Sequence, residues 1–384
     1  MVGKRSCFYI NFNRQAWSYL PLRRRQAFMI QKNKITLFYT TLILMFFYAI
    51  LPALASIPTK MKDNSLPKIF PEALMYLDDF FSHHILIAEK STHQLHLFKN
   101  KGSYPEHIKT YQMATGKKAG DKLFQGDHKT PEGIYQFIDF LPHDDLIKRH
   151  GKAGEIYGVG AFVMNYPNPI DQRLKKTGGG IWLHSTNDET RIEKGLDSRG
   201  CVVAANNDLK EISTYIELDK TQIIVVQDLH LLKERTWRTS RNNLKATIRN
   251  WIEAWKIEDY KTYVSHYHPQ KYFDRFRGSY KNFKNYKKAV FNNPGQPEIT
   301  ISNLSILRSE HYAVATFKQS YKGNKIKDIG KKSLYLELDD EYQWKIVNEQ
   351  WKKLPHQDLS KNDVFKPSMR FFASFQTGTD QKQK

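Results

Sequence analysis

Residues 35–55, ITLFYTTLILMFFYAILPALA, carry no charged side chain. As a helix this stretch rises about 31 Å at ~1.5 Å per residue, enough to cross the hydrocarbon core of a bilayer. The lead ahead of it, residues 1–34, holds eight Lys/Arg and no acid. The positive-inside rule keeps that lead in the cytosol and puts residue 56 onward on the far side. Two readings of 35–55 stay open. Ala53-Leu54-Ala55 has the small-x-small form of a signal-peptidase site, yet the run exceeds the ~7–15 apolar residues usual in a cleaved signal. Uncleaved, it is a transmembrane anchor that makes the inner membrane a partner. Either way the body folds in the periplasm or an equivalent extracytoplasmic space.

The chain is basic, with 60 Lys+Arg against 39 Asp+Glu and a formal net charge of +21. A balance of this kind points to polyanions, nucleic acid among them. The excess is concentrated, however, in the lead and in residues 231–296, which hold fifteen Lys/Arg against five acids. The rest is nearly neutral, and nucleic acid is set aside as a partner. Two cysteines exclude a disulfide scaffold and any multi-cysteine metal site. Cys7 lies in the lead, so Cys201 is the only thiol of the exported body. It is either an inert core residue or one with a task.

Residues 56–81 read as a spacer ending in a short helix, PEALMYLDDFF. From 82 to 230 short apolar runs dominate. His84–Glu89 and Gln94–Lys99 form a hairpin about Lys90–His93. Lys109–Ala114, Gly133–Phe140, Ala161–Tyr166, Gly180–His184 and Gln222–Asp228 follow as strands. A helix starts at Asn206–Asp208 and runs to Tyr215, with Leu209, Ile212 and Ile216 at helical spacing. This predicts a mainly β domain with one or two helices. Residues 231–243 read as a linker. Leu244, Ile248, Trp251, Ile252 and Trp255 then mark an amphipathic helix, and a second short helix covers 261–267. Strands at 298–305, 311–318, 332–338 and 344–350 complete an α+β domain over 244–355. Residues 356–384 read as a loose polar tail.

The chemistry gathers at Ile181-Trp182-Leu183-His184-Ser185-Thr186 and Asp197-Ser198-Arg199-Gly200-Cys201-Val202-Val203. His184 ends a short apolar strand, and the polar loop after it can bring Cys201 back beside that strand. An imidazole that takes a thiol proton makes the nucleophile of acyl transfer, and an imidazolium nearby draws a thiol pKa down toward neutrality. Gly200 leaves backbone N–H groups open to a developing oxyanion.

These residues resemble the YkuD-type L,D-transpeptidases, whose signature is a His, a gap of some fifteen residues, then Ser/Thr-His/Arg/Lys-Gly-Cys. Ala114-Thr115-Gly116 and Thr130-Pro131-Glu132-Gly133-Ile134-Tyr135 are similar to two upstream elements of the same family, in the same order. The resemblance implies a YkuD-like β fold, Cys201 as nucleophile and His184 as its base. It gives the Ser185 backbone the task of orienting the imidazole, and it lets Ser198, Arg199 and Gly200 shape the oxyanion and substrate region. The Arg that often follows two places after the Cys is Val203 here, which leaves the substrate carboxylate without its usual partner. Met164–Pro169 and Lys176–Trp182 resemble a subgroup that carries a cone-shaped nuclear-transport-factor-2-like domain behind the catalytic one. That subgroup includes L,D-carboxypeptidases of helical cell shape.

The implied substrate is a peptidoglycan stem tetrapeptide, cleaved at the bond between its diamino acid and D-Ala through a thioester on Cys201. Transfer to an amine is transpeptidation, and transfer to water is carboxypeptidation. The competing class is a non-catalytic wall-binding scaffold that uses the basic C-terminal domain as its contact, and a protein partner through that domain stays open. No cofactor or metal is implied, and His93 and His96 are spaced to point to opposite faces of a strand. The basic-aromatic stretch Lys271–Lys288 is either a solvated face or a contact for wall polyanions, with Lys281, Lys284, Lys287 and Lys288 as its cations.

Overall fold

A computed structural model describes residues 68–293, 295–324, 326–355, 358 and 365–372. The apolar segment 35–55 and its basic lead lie outside the described residues. Among the described residues no helix is long and apolar enough to cross a membrane.

The first half is a curled nine-stranded sheet. Its strands are β3 (His84–Glu89), β4 (Gln94–Lys101), β5 (Tyr104–Gly116), β6 (Gly133–Pro142), β7 (Gly160–Met164), β8 (Trp182–His184), β9 (Leu196–Ser198), β10 (Val202–Ala204) and β11 (Gln222–Val226). They lie in the order β10-β8-β7-β6-β11-β3-β4-β5-β9, and β10 also pairs with β5, which curls the sheet toward a barrel. Helices are few and short: α1 (His143–His150), α2 (Pro169–Arg173), α3 (Thr190–Glu193) and α4 (Asn206–Ser213). The expected hairpin is present as β3 and β4 in antiparallel register from His84↔Lys99 to Glu89↔Gln94.

The second half packs α5 (Glu234–Lys256), α6 (Tyr260–Ser265) and α7 (Tyr280–Phe291) against an antiparallel sheet. Its strands are β15 (Glu298–Arg308), β16 (Ala313–Lys322), β17 (Lys327–Leu338) and β18 (Trp344–Lys353), and a small hairpin, β13 (Phe273–Asp274) with β14 (Gly278–Ser279), sits beside it. The fold class is therefore the expected one, a mainly β region followed by an α+β domain.

Three expectations need correction. Residues 71–81 are not helical: β1 (Ile69–Pro71) pairs with β12 (Leu231–Lys233), and β2 (Leu74–Tyr76) joins the C-terminal sheet beside β15. Met75 is completely buried in the core of the second half, so burial overrides the helical pattern. The supposed linker 231–243 is β12 followed by the first turns of α5. Trp237 lies fully buried there, its Nε1 donating to the Leu74 carbonyl at 2.9 Å. Within the supposed loose tail, Phe365 stacks on His83 with ring centroids 3.8 Å apart, Phe371 packs on Phe162, and Phe372 is buried.

Strands β3 and β11 explain why both read as unbroken apolar runs. Successive side chains of a strand face opposite ways. Leu86, Ala88, Ile223 and Val225 point into the core of the first half. Ile85, Ile87 and Ile224 point the other way, into a second core shared with Leu74, Tyr312, Val314, Tyr335 and Val347. Both faces are buried, and the two halves are joined by a hydrophobic interior of their own.

Candidate active site

The parallel pairing of β8 with β10 sets Val202 opposite Leu183 and Val203 opposite His184. Cys201 thus stands at the mouth of β10, one strand away from His184, with adjacent strands about 4.8 Å apart. The loop 185–200 makes the return that the sequence suggested. His184 is 2 % exposed and Cys201 9 % exposed.

The imidazole is fixed by its own chain. Its Nδ1 hydrogen-bonds the Ser185 carbonyl, leaving Nε2 as the nitrogen that can accept a proton. The Ser185 hydroxyl accepts from the Val159 N–H at 2.7 Å and donates to the Tyr157 carbonyl at 3.2 Å. That holds Tyr157 over the site, its ring 5.0 Å from the His184 ring and nearly perpendicular to it.

The turn before Cys201 depends on glycine. Gly200 has φ of +127°, and a Cβ there would stand 2.7 Å from the Lys129 carbonyl oxygen. Ser198 braces this turn by donating to the Cys201 carbonyl at 2.6 Å and accepting from the Gly200 N–H at 3.0 Å. The Gly200 N–H, expected to face an oxyanion, is therefore engaged within the turn, and the buried Ser198 side chain serves the backbone. Arg199 is exposed beside them.

Protonation differs from the sequence expectation. Burial pushes the Cys201 thiol up to about 11, against weaker opposing pulls from the Trp182 backbone N–H, Arg191 and Lys122. Burial likewise pushes His184 down to about 4, with the Ser185 hydrogen bond opposing it and the Arg191 charge adding to it. Burial, the largest cause of both shifts, favours thiol and neutral imidazole at neutral pH. Such a pair can still act by passing the thiol proton to Nε2 as sulfur attacks.

Two residues that sequence reasoning missed complete the surroundings. Arg191 pairs with Asp197 and donates from Nη1 to the Ile156 carbonyl and the Thr186 hydroxyl. Its charge favours thiolate over thiol at Cys201. The Tyr157 hydroxyl is raised in pKa first by burial and next by the Cys201 charge it faces. Tyr157 ends a single 3-10 helix, Gly151–Tyr157, and Arg191 lies in the four-residue helix α3, and neither is long enough to carry a periodic signal. On the far wall the Cys201 Sγ donates to the Gly180 carbonyl at 3.5 Å.

The basic stretch of the second half is not a uniform solvated face. Lys281 and Lys288 are exposed. The Lys287 ammonium instead lies over the Trp255 and Tyr263 rings at 5.1 and 5.0 Å, and burial pushes it down to about 8. It borders a cavity of about 750 Å³ between the two halves, which also touches Tyr272, Arg277, Lys332 and Glu349.

Residues 83–225 match the L,D-transpeptidase catalytic domain, YkuD, and residues 243–350 match the Cds6 C-terminal NTF2-like domain. Among solved structures the chain is similar to Bd1075 of Bdellovibrio bacteriovorus. The identity is 28%, the TM-score 0.65, and the match covers 76% of this chain and 100% of that one. It is also similar in fold to the helical cell shape determining protein Pgp2 of Campylobacter jejuni. There the identity is 24%, the TM-score 0.60, and the match covers 73% of this chain and 95% of that one. No curated protein matches the chain. The signature at Cys201, the curled sheet that carries it and the helix-and-sheet domain behind it converge: this chain joins a catalytic domain of the YkuD L,D-transpeptidase family to a Cds6-type NTF2-like domain.

Proposed function

We propose that the protein is a peptidoglycan-remodelling cysteine acyltransferase that works on stem tetrapeptides. The thiol of Cys201 gives its proton to His184 Nε2 and attacks the carbonyl of the diamino acid. The C–N bond to D-Ala breaks, D-Ala leaves with the proton from His184, and a thioester remains on Cys201. An amine acceptor then yields an L,D cross-link, while water yields a tripeptide. The observation that carries the reading is the buried thiol at the mouth of β10, one strand from an imidazole whose Nδ1 is already committed. Trimming without cross-linking is the second reading, favoured by the two-domain architecture shared with a protein described as a helical cell shape determinant. A cell-shape role follows from that reading. The body acts outside the cytoplasm, with residues 35–55 as anchor or export signal.

The test is digestion of purified peptidoglycan, with the muropeptides identified by mass. Loss of D-Ala from tetrapeptides is expected, as new L,D-linked dimers or as free tripeptides, and the ratio decides between the two outcomes. Cys201→Ala should abolish both. An unchanged muropeptide profile with parent protein, or the same products from Cys201→Ala, overturns the assignment.

A further inference from the structure

The turn between β15 and β16 sends one side chain from the second half into the first. Tyr312 is 4 % exposed, and its hydroxyl accepts the Ile134 N–H at 2.7 Å and an Asn168 side-chain N–H at 2.8 Å. Gly133 makes the approach possible, since a Cβ there would stand 2.6 Å from that hydroxyl. The glycine of the Thr-Pro-x-Gly element thus leaves room for the neighbouring domain.

From Tyr312 a buried polar chain runs toward Cys201. Asn168 caps α2, its Oδ1 accepting from Ile170 and Asp171, and its backbone N–H donates to the Asp171 carboxylate. That carboxylate also accepts from the Tyr135 hydroxyl at 3.1 Å and pairs with Lys176 at 3.0 Å. Lys176 reaches Asp121 at 2.6 Å, and Asp121 accepts from the Glu132 N–H at 2.9 Å. Lys176 opens the loop 176–180. Thr177 is held there by the Leu123 carbonyl and the Tyr166 hydroxyl, and the Gly180 carbonyl takes the hydrogen bond from Cys201 Sγ. Every side chain of the series Tyr312, Asn168, Asp171 and Lys176 is buried. A buried polar group has no water to fall back on, so each fixes the next.

We propose that Tyr312 is a positioning residue for the Cys201 site, setting the 176–180 wall of the cleft from the second domain through Asn168, Asp171 and Lys176. The inference rests on the reading that Cys201 carries the reaction. A wall set in this way orients substrate at the moment of attack more than it binds it, so its loosening shows in turnover. Its loosening also removes the acceptor of the thiol proton and admits water, which makes thiolate easier to form.

The experiment uses the full chain. Tyr312→Phe keeps the ring and removes only the hydroxyl. Asn168→Ser keeps a good helix cap and removes the amide nitrogen that donates to the Tyr312 hydroxyl and to the Ile134 carbonyl. Both variants should turn over a stem tetrapeptide about tenfold more slowly at saturation, with KM changed less than about twofold. In both, alkylation of Cys201 by iodoacetamide should reach its half-maximal rate at lower pH than in the parent. Unchanged turnover and an unchanged alkylation midpoint in either folded variant overturn the proposal, even where that variant melts earlier. A parent protein inert toward tetrapeptide overturns the functional reading alone, and the alkylation midpoint still decides the positioning role.

Discussion

Burial sets the protonation of both residues at the candidate site. Were the resting state a thiolate–imidazolium pair, deleting the imidazole would raise the thiol pKa. Here the thiol stands at about 11 because it is desolvated, and the imidazole beside it is already neutral. Iodoacetamide alkylation of resting protein should therefore be slow at neutral pH and rise through a midpoint well above the ~8.5 of free cysteine. His184→Ala should leave that midpoint within about half a pH unit while abolishing turnover. A midpoint below neutrality in the parent, or a large upward shift on deletion, would establish the ion pair instead. At this scale the sequence was informative about chemistry and poor about environment. His184, Ser198, Gly200 and Cys201 stand out by type and spacing. Nothing in the letters says that Ser198 spends its hydroxyl on the Cys201 carbonyl, or that the charge acting most on the thiol is Arg191.

Helix α5 carries a parallel lesson for elements. Its first ten residues are charged or polar except Trp237, and so read as a linker. Yet Trp237 lies seven positions before Leu244 and continues the stripe of Leu244, Ile248 and Trp251 by two more turns. Its ring packs on Phe70 and Tyr104 at centroid distances of 4.7 and 5.4 Å and bonds the Leu74 carbonyl. Trp237→Ala should cost about 3–5 kcal/mol in urea unfolding. Trp237→Phe, which loses chiefly the hydrogen bond, should cost about 1 kcal/mol. A loss under about 1 kcal/mol for the alanine variant would mean that this end of α5 carries little of the packing. The long strands were legible because apolar runs such as Gln222–Val226 and His84–Glu89 allow little else. Strands β1 and β2 were not, since three residues cannot show a period and their partners lie far along the chain.

Those two short strands decide how the whole molecule comes apart. Strand β2 precedes the catalytic region yet forms an edge of the second sheet, and the shared core around Ile85, Ile224, Tyr312 and Val347 joins what family boundaries divide. A fragment of residues 244–355 lacks Leu74, Met75 and the partner surface of Val314, and should be insoluble or unfolded by circular dichroism. The chain from residue 68 onward should melt in one calorimetric transition, since the shared core ties the core of each half to that of the other. Two well-separated transitions, or a soluble cooperative 244–355, would show independent domains. The placement of β2 also bears on how the protein is made. A chain delivered from its N-terminus presents Leu74–Tyr76 before the residues of the catalytic sheet and long before β15 exists. Until synthesis nears its end, that strand is an unpaired apolar edge. Successful maturation therefore depends on β15 arriving before the waiting edge finds a strand from another molecule.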